Sequence, residues 1–268
     1  MFAQRLGDPG AVIKAVVAFV VFCALSAAVY LMNDVLDREQ DRRHPQKALR
    51  PIASGALSVG TAITAAVALG GLALAAAFAL GLPFFWVAGS YLLLQLAYSA
   101  FLKHIVILDV LTIAAGFTLR AVAGGAAIVV PVSHWLVLCT TLGALFLALG
   151  KRRHELVLLA DSATEHRRIL EDYSPYLLDQ MISVVTASTL IAYAFYTISP
   201  ETTQKFDTTL LSLTIPFPLY GIFRYLYLVH QKSKGGNPSD LLLEDRPILA
   251  CIGLWALAVV GIIYHVKL

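Results

Sequence analysis

Long apolar stretches alternate with polar linkers from one end of this chain to the other. Runs of about 20 apolar residues, the length a helix needs to cross a bilayer, fall at 11–33, 60–80, 83–102, 106–129, 131–150, 179–198, 208–229 and 247–266. Most carry no polar face at helical period, which argues against a soluble bundle. The pattern therefore predicts an all-α fold, a polytopic transmembrane helical bundle of eight spans forming a single domain over 1–268. Tight turns at Gly81-Leu82-Pro83 and Val130-Pro131 close two of the helical hairpins, and the longer polar linkers are 34–59, 101–107, 150–178 and 230–246.

Composition agrees with this pattern: 59% of residues are hydrophobic and 14% charged, far from the balance of an ordinary globular domain. Charge then sets the orientation. In an eight-span arrangement the four long linkers share one side and hold 14 of the 20 Lys and Arg, so they face the cytoplasm of a bacterial-type plasma (inner) membrane. Arg5, Lys14, Lys205 and Lys267 lie on the other side, while Arg120 and Arg224 fall inside spans. Cys23, Cys139 and Cys251 all lie within apolar runs and read as packing residues without a disulfide framework. Met1–Gly10 lacks the pattern of a cleavable signal peptide. A bilayer, not nucleic acid, is the partner this composition implies.

The sharpest local feature stands where the first span ends, at Asn33-Asp34-Val35-Leu36-Asp37-Arg38-Glu39-Gln40-Asp41. On a continuing helix Asp34, Asp37 and Asp41 share one face at i, i+3 and i+7. Three carboxylates side by side repel one another unless a cation joins them, and hard oxygen ligands suit Mg²⁺, with Mn²⁺ as the alternative. Magnesium so held keeps waters and takes substrate phosphates, so the motif points to diphosphate chemistry at a lipid boundary. The linker continues through Arg42, Arg43, His44, Lys47 and Arg50 into Pro51-Ile52-Ala53-Ser54-Gly55. Lys47 and Arg50 are candidates for binding substrate phosphate. Arg42 and Arg43 serve equally well as an anchor on anionic lipid.

Other polar groups recur near the same side. Tyr98, Lys103 and Asp109 surround the 101–107 linker, and Asp109, Thr112, Gly116 and Arg120 form one stripe of the following helix. Arg120 lies about 16 Å beyond Asp109 along that helix, deep enough to call for a carboxylate partner, a phosphate in a wet cavity, or helix carbonyls. Gly116, Gly124 and Gly125 read as close-packing positions. Lys151-Arg152-Arg153-His154-Glu155 offers a second anion site or only a topology signal, with Asp161, Arg167 and Arg168 further along the linker. Asp240, Glu244, Asp245 and Arg246 precede the last span, where Asp245 and Arg246 suggest a helix cap and a salt bridge. His44, His104, His154 and His166 show no zinc spacing, and neither a nucleotide-binding glycine motif nor a Ser-His-Asp arrangement is evident.

Asn33-Asp34-x-x-Asp37-x-x-x-Asp41 at the end of a membrane helix resembles the first aspartate-rich motif of the UbiA superfamily of intramembrane prenyltransferases. Several further segments are similar to its decaprenyl-phosphate phosphoribosyltransferase branch. They are His44-Pro45 with Lys47 and Arg50-Pro51-Ile52-Ala53-Ser54-Gly55; Tyr98-Ser99-x-x-Leu102-Lys103; Asp109; Gly116-Phe117-x-Leu119-Arg120-Ala121-x-Ala123-Gly124-Gly125; Lys151-Arg152-x-x-Glu155-Leu156; and Leu243-x-Asp245-Arg246. The resemblance covers nearly the whole chain. Two departures stand out. Where aromatic-acceptor members carry a second aspartate-rich motif, this chain has the basic Lys151-Arg152-Arg153. Members usually have nine spans, and Met1-Phe2-Ala3 corresponds to a point partway along their first helix.

What the resemblance implies is Mg²⁺-dependent transfer of 5-phosphoribose from 5-phosphoribosyl 1-diphosphate to a polyprenyl phosphate such as decaprenyl phosphate. In that family the product feeds arabinan precursor synthesis. Asp34, Asp37 and Asp41 would hold the metal with Asn33 in support, and Asp37 and Asp109 would act at the reacting centre. Asn33, Lys47, Arg50, Tyr98, Lys103, Arg120, Lys151 and Arg152 would bind the substrates. The main alternative is prenyl transfer from a polyprenyl diphosphate to an aromatic acceptor. A transporter or lipid-binding protein is a third reading, and the concentration of polar chemistry on one side weighs against it.

Overall fold

The computed structural model describes residues 5, 7–43, 47–160, 172–231 and 238–265. The opening Met1-Phe2-Ala3, His44 and Pro45 of the motif, Asp161, His166, Arg167, Arg168 and Lys267 lie outside the described residues, as does the side chain of Asp240. The described residues form helices without a strand, arranged in two compact units, Met1–Ser133 and His134–Leu268.

In the first unit α1 (Pro9–Leu36) begins under an Asp8 cap, whose carboxylate accepts from Gly10 N and Ala11 N at 3.0 and 3.2 Å. A proline in the first turn loses nothing there, because its missing N–H has no intrahelical partner anyway. Two short helices, α2 (Arg38–Arg43) and α3 (Pro51–Ser54), precede the long α4 (Val59–Leu80), α5 (Leu82–Ala100) and α6 (Leu108–Ala127). The α4–α5 turn consists of Gly81 alone, at φ 128°, a conformation that side-chain-bearing residues rarely adopt. The core gathers Ala18, Val21, Phe22 and Leu25 of α1 against Ala73 and Ala77 of α4, Phe84, Ala88 and Tyr91 of α5, and Ala123 and Ala127 of α6. On α4 the buried positions Ala62, Ala66, Gly70, Ala73 and Ala77 form one stripe of small residues. In a membrane, where apolar side chains gain nothing by leaving lipid, such a stripe lets backbones approach closely. Val67, Leu72, Phe78, Trp86 and Leu93 are instead exposed, as a lipid-facing surface requires.

The second unit contains α7 (His134–Ala160), α8 (Pro175–Ile198), α9 (Pro200–Phe206), α10 (Pro216–Gln231), α11 (Pro238–Glu244) and α12 (Arg246–His265). Tyr193 of α8 joins two other segments through its hydroxyl, 2.7 Å from Thr214 Oγ1 and 2.8 Å from the donating Trp255 Nε1. Gly150 of α7 admits the ring of Tyr225, whose hydroxyl would lie 3.0 Å from any added Cβ.

Among the described residues, seven helices are long and apolar enough to cross a membrane. The expected eighth span, 208–229, is not one α-helix. It is a 3₁₀ segment, Leu210–Thr214, followed by the 16-residue α10. Pro216 and Pro218 lack the N–H groups a continuous helix needs, so the α-helical part starts at Pro216. At 1.5 Å per residue α10 alone covers about 24 Å, less than the ~30 Å hydrocarbon core; the tighter segment before it supplies the remainder. Cys23 is exposed, so the packing role expected of it does not hold, whereas Cys251 is buried.

Candidate active site at the end of α1

The acidic motif does not lie on one continuous helix. α1 ends at Leu36, Asp37 forms a one-residue break at φ −90° and ψ 4°, and α2 begins at Arg38. Helical hydrogen bonds nevertheless run through the break: Asp37 N donates to Asn33 O and Asp41 N to Asp37 O, both at 2.8 Å. Because the ladder persists, Asp34 and Asp41 still converge. A single atom, Arg50 Nη1, donates to Asp34 Oδ1 at 2.7 Å and to Asp41 Oδ2 at 2.9 Å. Asp37 is met from elsewhere, by Lys103 Nζ at 2.5 Å from its Oδ1. Asn33 completes this group, donating from Nδ2 to Asp37 Oδ2 at 3.1 Å and accepting from Lys103 Nζ at 3.4 Å.

Local structure explains why these cations arrive here. Arg50 occupies the N-cap of α3 in an extended conformation, with Pro51 opening the helix and Gly55 closing it in the left-handed region at φ 86°. Arg42 fixes α3 against α2 by donating from Nε to Ala53 O at 2.9 Å, and it pairs with Glu39 at 3.2 Å. Arg42 is thus a brace between helices, a role the sequence reading did not include. Lys47 is exposed on the adjoining 3₁₀ turn, close enough to act on the Asp34 charge. Lys103 sits on the 3₁₀ turn Leu102–His104 between α5 and α6, with only 4% of its side chain exposed. Past that turn the chain enters α6 through Ile107, with φ 70° and ψ −43°, an unfavourable conformation for a β-branched residue.

Burial magnifies these charges. The Asp41 side chain is 5% exposed and Asp109, in the first turn of α6, is wholly buried. Three carboxylates at the motif meet Arg50 and Lys103 directly, and Lys47 acts on Asp34 from the adjoining turn. Among the described residues no three His, Cys, Asp or Glu are gathered tightly enough to hold a metal by themselves. The donor set still fits Mg²⁺, which commonly takes one or two carboxylates and fills its remaining positions with water and substrate phosphate. Asp34 and Asp41, already directed at one nitrogen, are the pair that could take that role.

Tyr98 is half-buried on α5, two turns beyond Tyr91. Arg120 meets neither of the protein partners expected for it. Its Nη2 donates to Tyr91 OH at 2.6 Å, and its guanidinium lies over the rings of Tyr91 and Phe117 at 5.0 and 5.1 Å. Ser26 Oγ shares the Tyr91 hydroxyl at 3.1 Å. Of the glycines, Gly116 faces the Gln95 amide and Gly125 faces Val132, whereas Gly124 meets nothing and serves no close contact.

In the second unit Lys151 is half-buried and Arg152 is buried in an ion pair with Glu155. Arg153 pairs with Asp179 at 2.5 Å, and His230 approaches the same carboxylate at 3.2 Å. Asp245 caps α12, accepting from Ile248 N at 3.0 Å, as expected. It also pairs with Arg224 of α10 at 2.9 Å, a partner the sequence reading did not name, and two guanidinium nitrogens of Arg224 reach the carboxylate.

Known proteins match this chain over most of its length. The UbiA prenyltransferase family model matches residues 1–242. A decaprenyl-phosphate phosphoribosyltransferase of Corynebacterium glutamicum is 35% identical over 98% of this chain and 79% of its own length. The protein of that name from Mycobacterium tuberculosis is also 35% identical, over 92% of this chain and 80% of its own. In fold, the chain resembles a UbiA homolog from Archaeoglobus fulgidus bound to DMAPP and Mg²⁺, with a TM-score of 0.72 and 19% identity, covering 93% of this chain and 87% of that one. Helical architecture, an acidic motif at a membrane boundary and sequence likeness lead to one conclusion: the chain belongs to the UbiA prenyltransferase family, whose members are intramembrane transferases.

Proposed function

We propose that this chain, acting as a single intramembrane domain, transfers 5-phosphoribose from 5-phosphoribosyl 1-diphosphate to a polyprenyl phosphate at the cytoplasmic face of the plasma membrane. The observation that carries the reading is the convergence of Asp34 and Asp41 on one Arg50 nitrogen beside the Lys103–Asp37 pair. This is a site of paired carboxylates and cations, suited to a diphosphate that brings its own divalent ion. The names and coverage of the bacterial relatives support the ribosyl donor.

A lipid phosphate oxygen forms the new bond to the ribose anomeric carbon as the bond from that carbon to the diphosphate oxygen breaks, with inversion. The acceptor is already an anion, so positioning and charge neutralisation do most of the work. Mg²⁺, or Mn²⁺ in its place, would supply positive charge to the departing diphosphate when bound. Asp34 and Asp41 would hold that ion and Asp37 would complete the set, while Asn33 keeps Asp37 oriented through their hydrogen bond. Arg50, Lys47 and Lys103 neutralise phosphate oxygens, and Asp109 orients the ribose. Tyr98 borders the donor. Lys151 and Arg152 are assigned to phosphate groups on the resemblance alone.

The test incubates the purified protein in lipid with radiolabelled 5-phosphoribosyl 1-diphosphate, Mg²⁺ and decaprenyl phosphate. Labelled lipid that requires all three is the expected result. Its absence, with transfer instead from a prenyl diphosphate to an aromatic acid, would overturn the reading.

A further inference from the structure

Two polar groups in the first unit use little of their hydrogen-bonding capacity within the protein. Gln95 lies on α5 one turn from Tyr91 on one side and from Tyr98 and Ser99 on the other, and its amide makes no hydrogen bond among the described residues. The space for that amide is created by Gly116 of α6: a Cβ there would lie 2.5 Å from Gln95 Nε2 and 3.9 Å from the Tyr91 ring. One turn further along each helix, Arg120 donates to the buried Tyr91 hydroxyl, and no carboxylate accepts from it among the described residues. Because Arg120 can only donate, the proton of Tyr91 is left for Ser26 Oγ, and this chain fixes the guanidinium from behind. Unsatisfied amide and guanidinium groups in a spanning helix are costly. They persist where something else supplies their hydrogen bonds.

Helix geometry indicates what that is. Helical side chains lean toward the N-terminus of their own helix. α5 and α6 are antiparallel neighbours joined by a short turn, so Gln95 leans into the membrane and Arg120 leans back out of it. The two polar ends approach each other along one seam. Ser26, which marks the level of Tyr91 and Arg120, lies eight residues before Asp34 on α1, or about 12 Å. An extended sugar with a diphosphate at one end and a phosphate monoester at the other bridges such a separation.

We infer that Gln95 and Arg120 form a sugar-phosphate subsite, with Arg120 binding the phosphate monoester, the Gln95 amide binding sugar hydroxyls, and Tyr91 and Gly116 acting as positioning residues. This rests on the proposed donor chemistry and assigns to α5 and α6 the end of the donor remote from the carboxylates. It also makes Gln95 a determinant of sugar specificity.

Binding of ribose 5-phosphate to the full chain in nanodiscs, measured calorimetrically without metal, tests the subsite apart from turnover. Gln95→Leu is expected to weaken this binding about tenfold, the value of one hydrogen bond to a charged or strongly polar group. The same variant should raise the donor KM by a similar factor, leave the polyprenyl phosphate KM unchanged, and unfold at an equal or higher temperature. Gly116→Ala, which keeps both polar groups and displaces Gln95, should shift the same constants in the same direction. Failure of the wild-type chain to bind ribose 5-phosphate overturns the subsite, whatever the reaction proves to be. So does unchanged binding in folded Gln95→Leu, or a KM change confined to the lipid, which would assign the phosphate monoester to the acceptor. Variant-sensitive ribose 5-phosphate binding in a chain that transfers no ribosyl group would uphold the subsite and reject the proposed reaction.

Discussion

Lys103 Nζ and Asp37 Oδ1 lie 2.5 Å apart although 66 residues separate them in sequence. Their ion pair connects the α5–α6 turn to the break after α1. Removing one member of a buried pair leaves the other uncompensated, at a cost of about 3 kcal/mol. Lys103→Met should lose that much stability in denaturant unfolding in micelles, and adding Asp37→Leu should restore most of it. Neither protein should transfer ribosyl phosphate. Asp37→Asn, which keeps the shape and removes the charge, should also be inactive; a wild-type rate would exclude Asp37 from the reacting centre.

Arg50 supplies the cation that Asp34 and Asp41 share. In Arg50→Met those carboxylates lose the cation that they share and keep only the influence of Lys47 on Asp34, so a divalent ion relieves more repulsion than it does in the wild type. Added Mg²⁺ without donor should therefore raise the melting temperature of the variant more than that of the wild type. An ion at 100 times its Kd stabilises by about 2.7 kcal/mol. Equal shifts in both proteins would mean that the guanidinium and the metal do not compete for these oxygens.

Ile107 has a positive φ of 70° just before α6. Glycine tolerates that conformation, so Ile107→Gly should stabilise the folded chain by about 1 kcal/mol, relieved strain outweighing glycine's added unfolded-state entropy. Thermal unfolding measures this directly. A loss of stability would show that the exposed Ile107 side chain contributes more than the strain costs.

Tyr193 joins Thr214 and Trp255 at 2.7 and 2.8 Å, remote in sequence from every residue assigned to the reaction. Tyr193→Phe removes the shared oxygen. Hydrogen bonds between membrane helices are worth about 0.6 to 1.7 kcal/mol, so a loss of about 1 kcal/mol is expected, with the donor KM unaffected. A change in KM would link this network to the substrate.

Spanning helices are legible in sequence because lipid demands length and apolarity, and the runs beginning near residues 11, 60, 83 and 106 became α1, α4, α5 and α6. The division of the 208–229 run was signalled as well, by Pro216 and Pro218, but a hydropathy pattern does not weigh missing N–H groups. The acidic motif was visible as chemistry, while its partners were not. Five Lys or Arg follow within the 34–59 linker, and charge alone does not say that Arg50 turns back to the carboxylates while Arg42 braces α3. The pairing of Asp245 with Arg224, 21 residues earlier, is a similar tertiary choice. Gln95 did leave a trace, as a lone amide in an apolar helix; its significance emerges only with Gly116 opposite.

The wide sequence separation of the motif from Lys103 also has a consequence for biogenesis. A ribosome releases Asp34, Asp37 and Asp41 well before it has made the turn that carries Lys103. During that interval α1 is tethered to the membrane with its carboxylates still hydrated. Asp37 gains its Lys103 partner only once the α5–α6 turn has been made, so the order of synthesis sets when this ion pair forms.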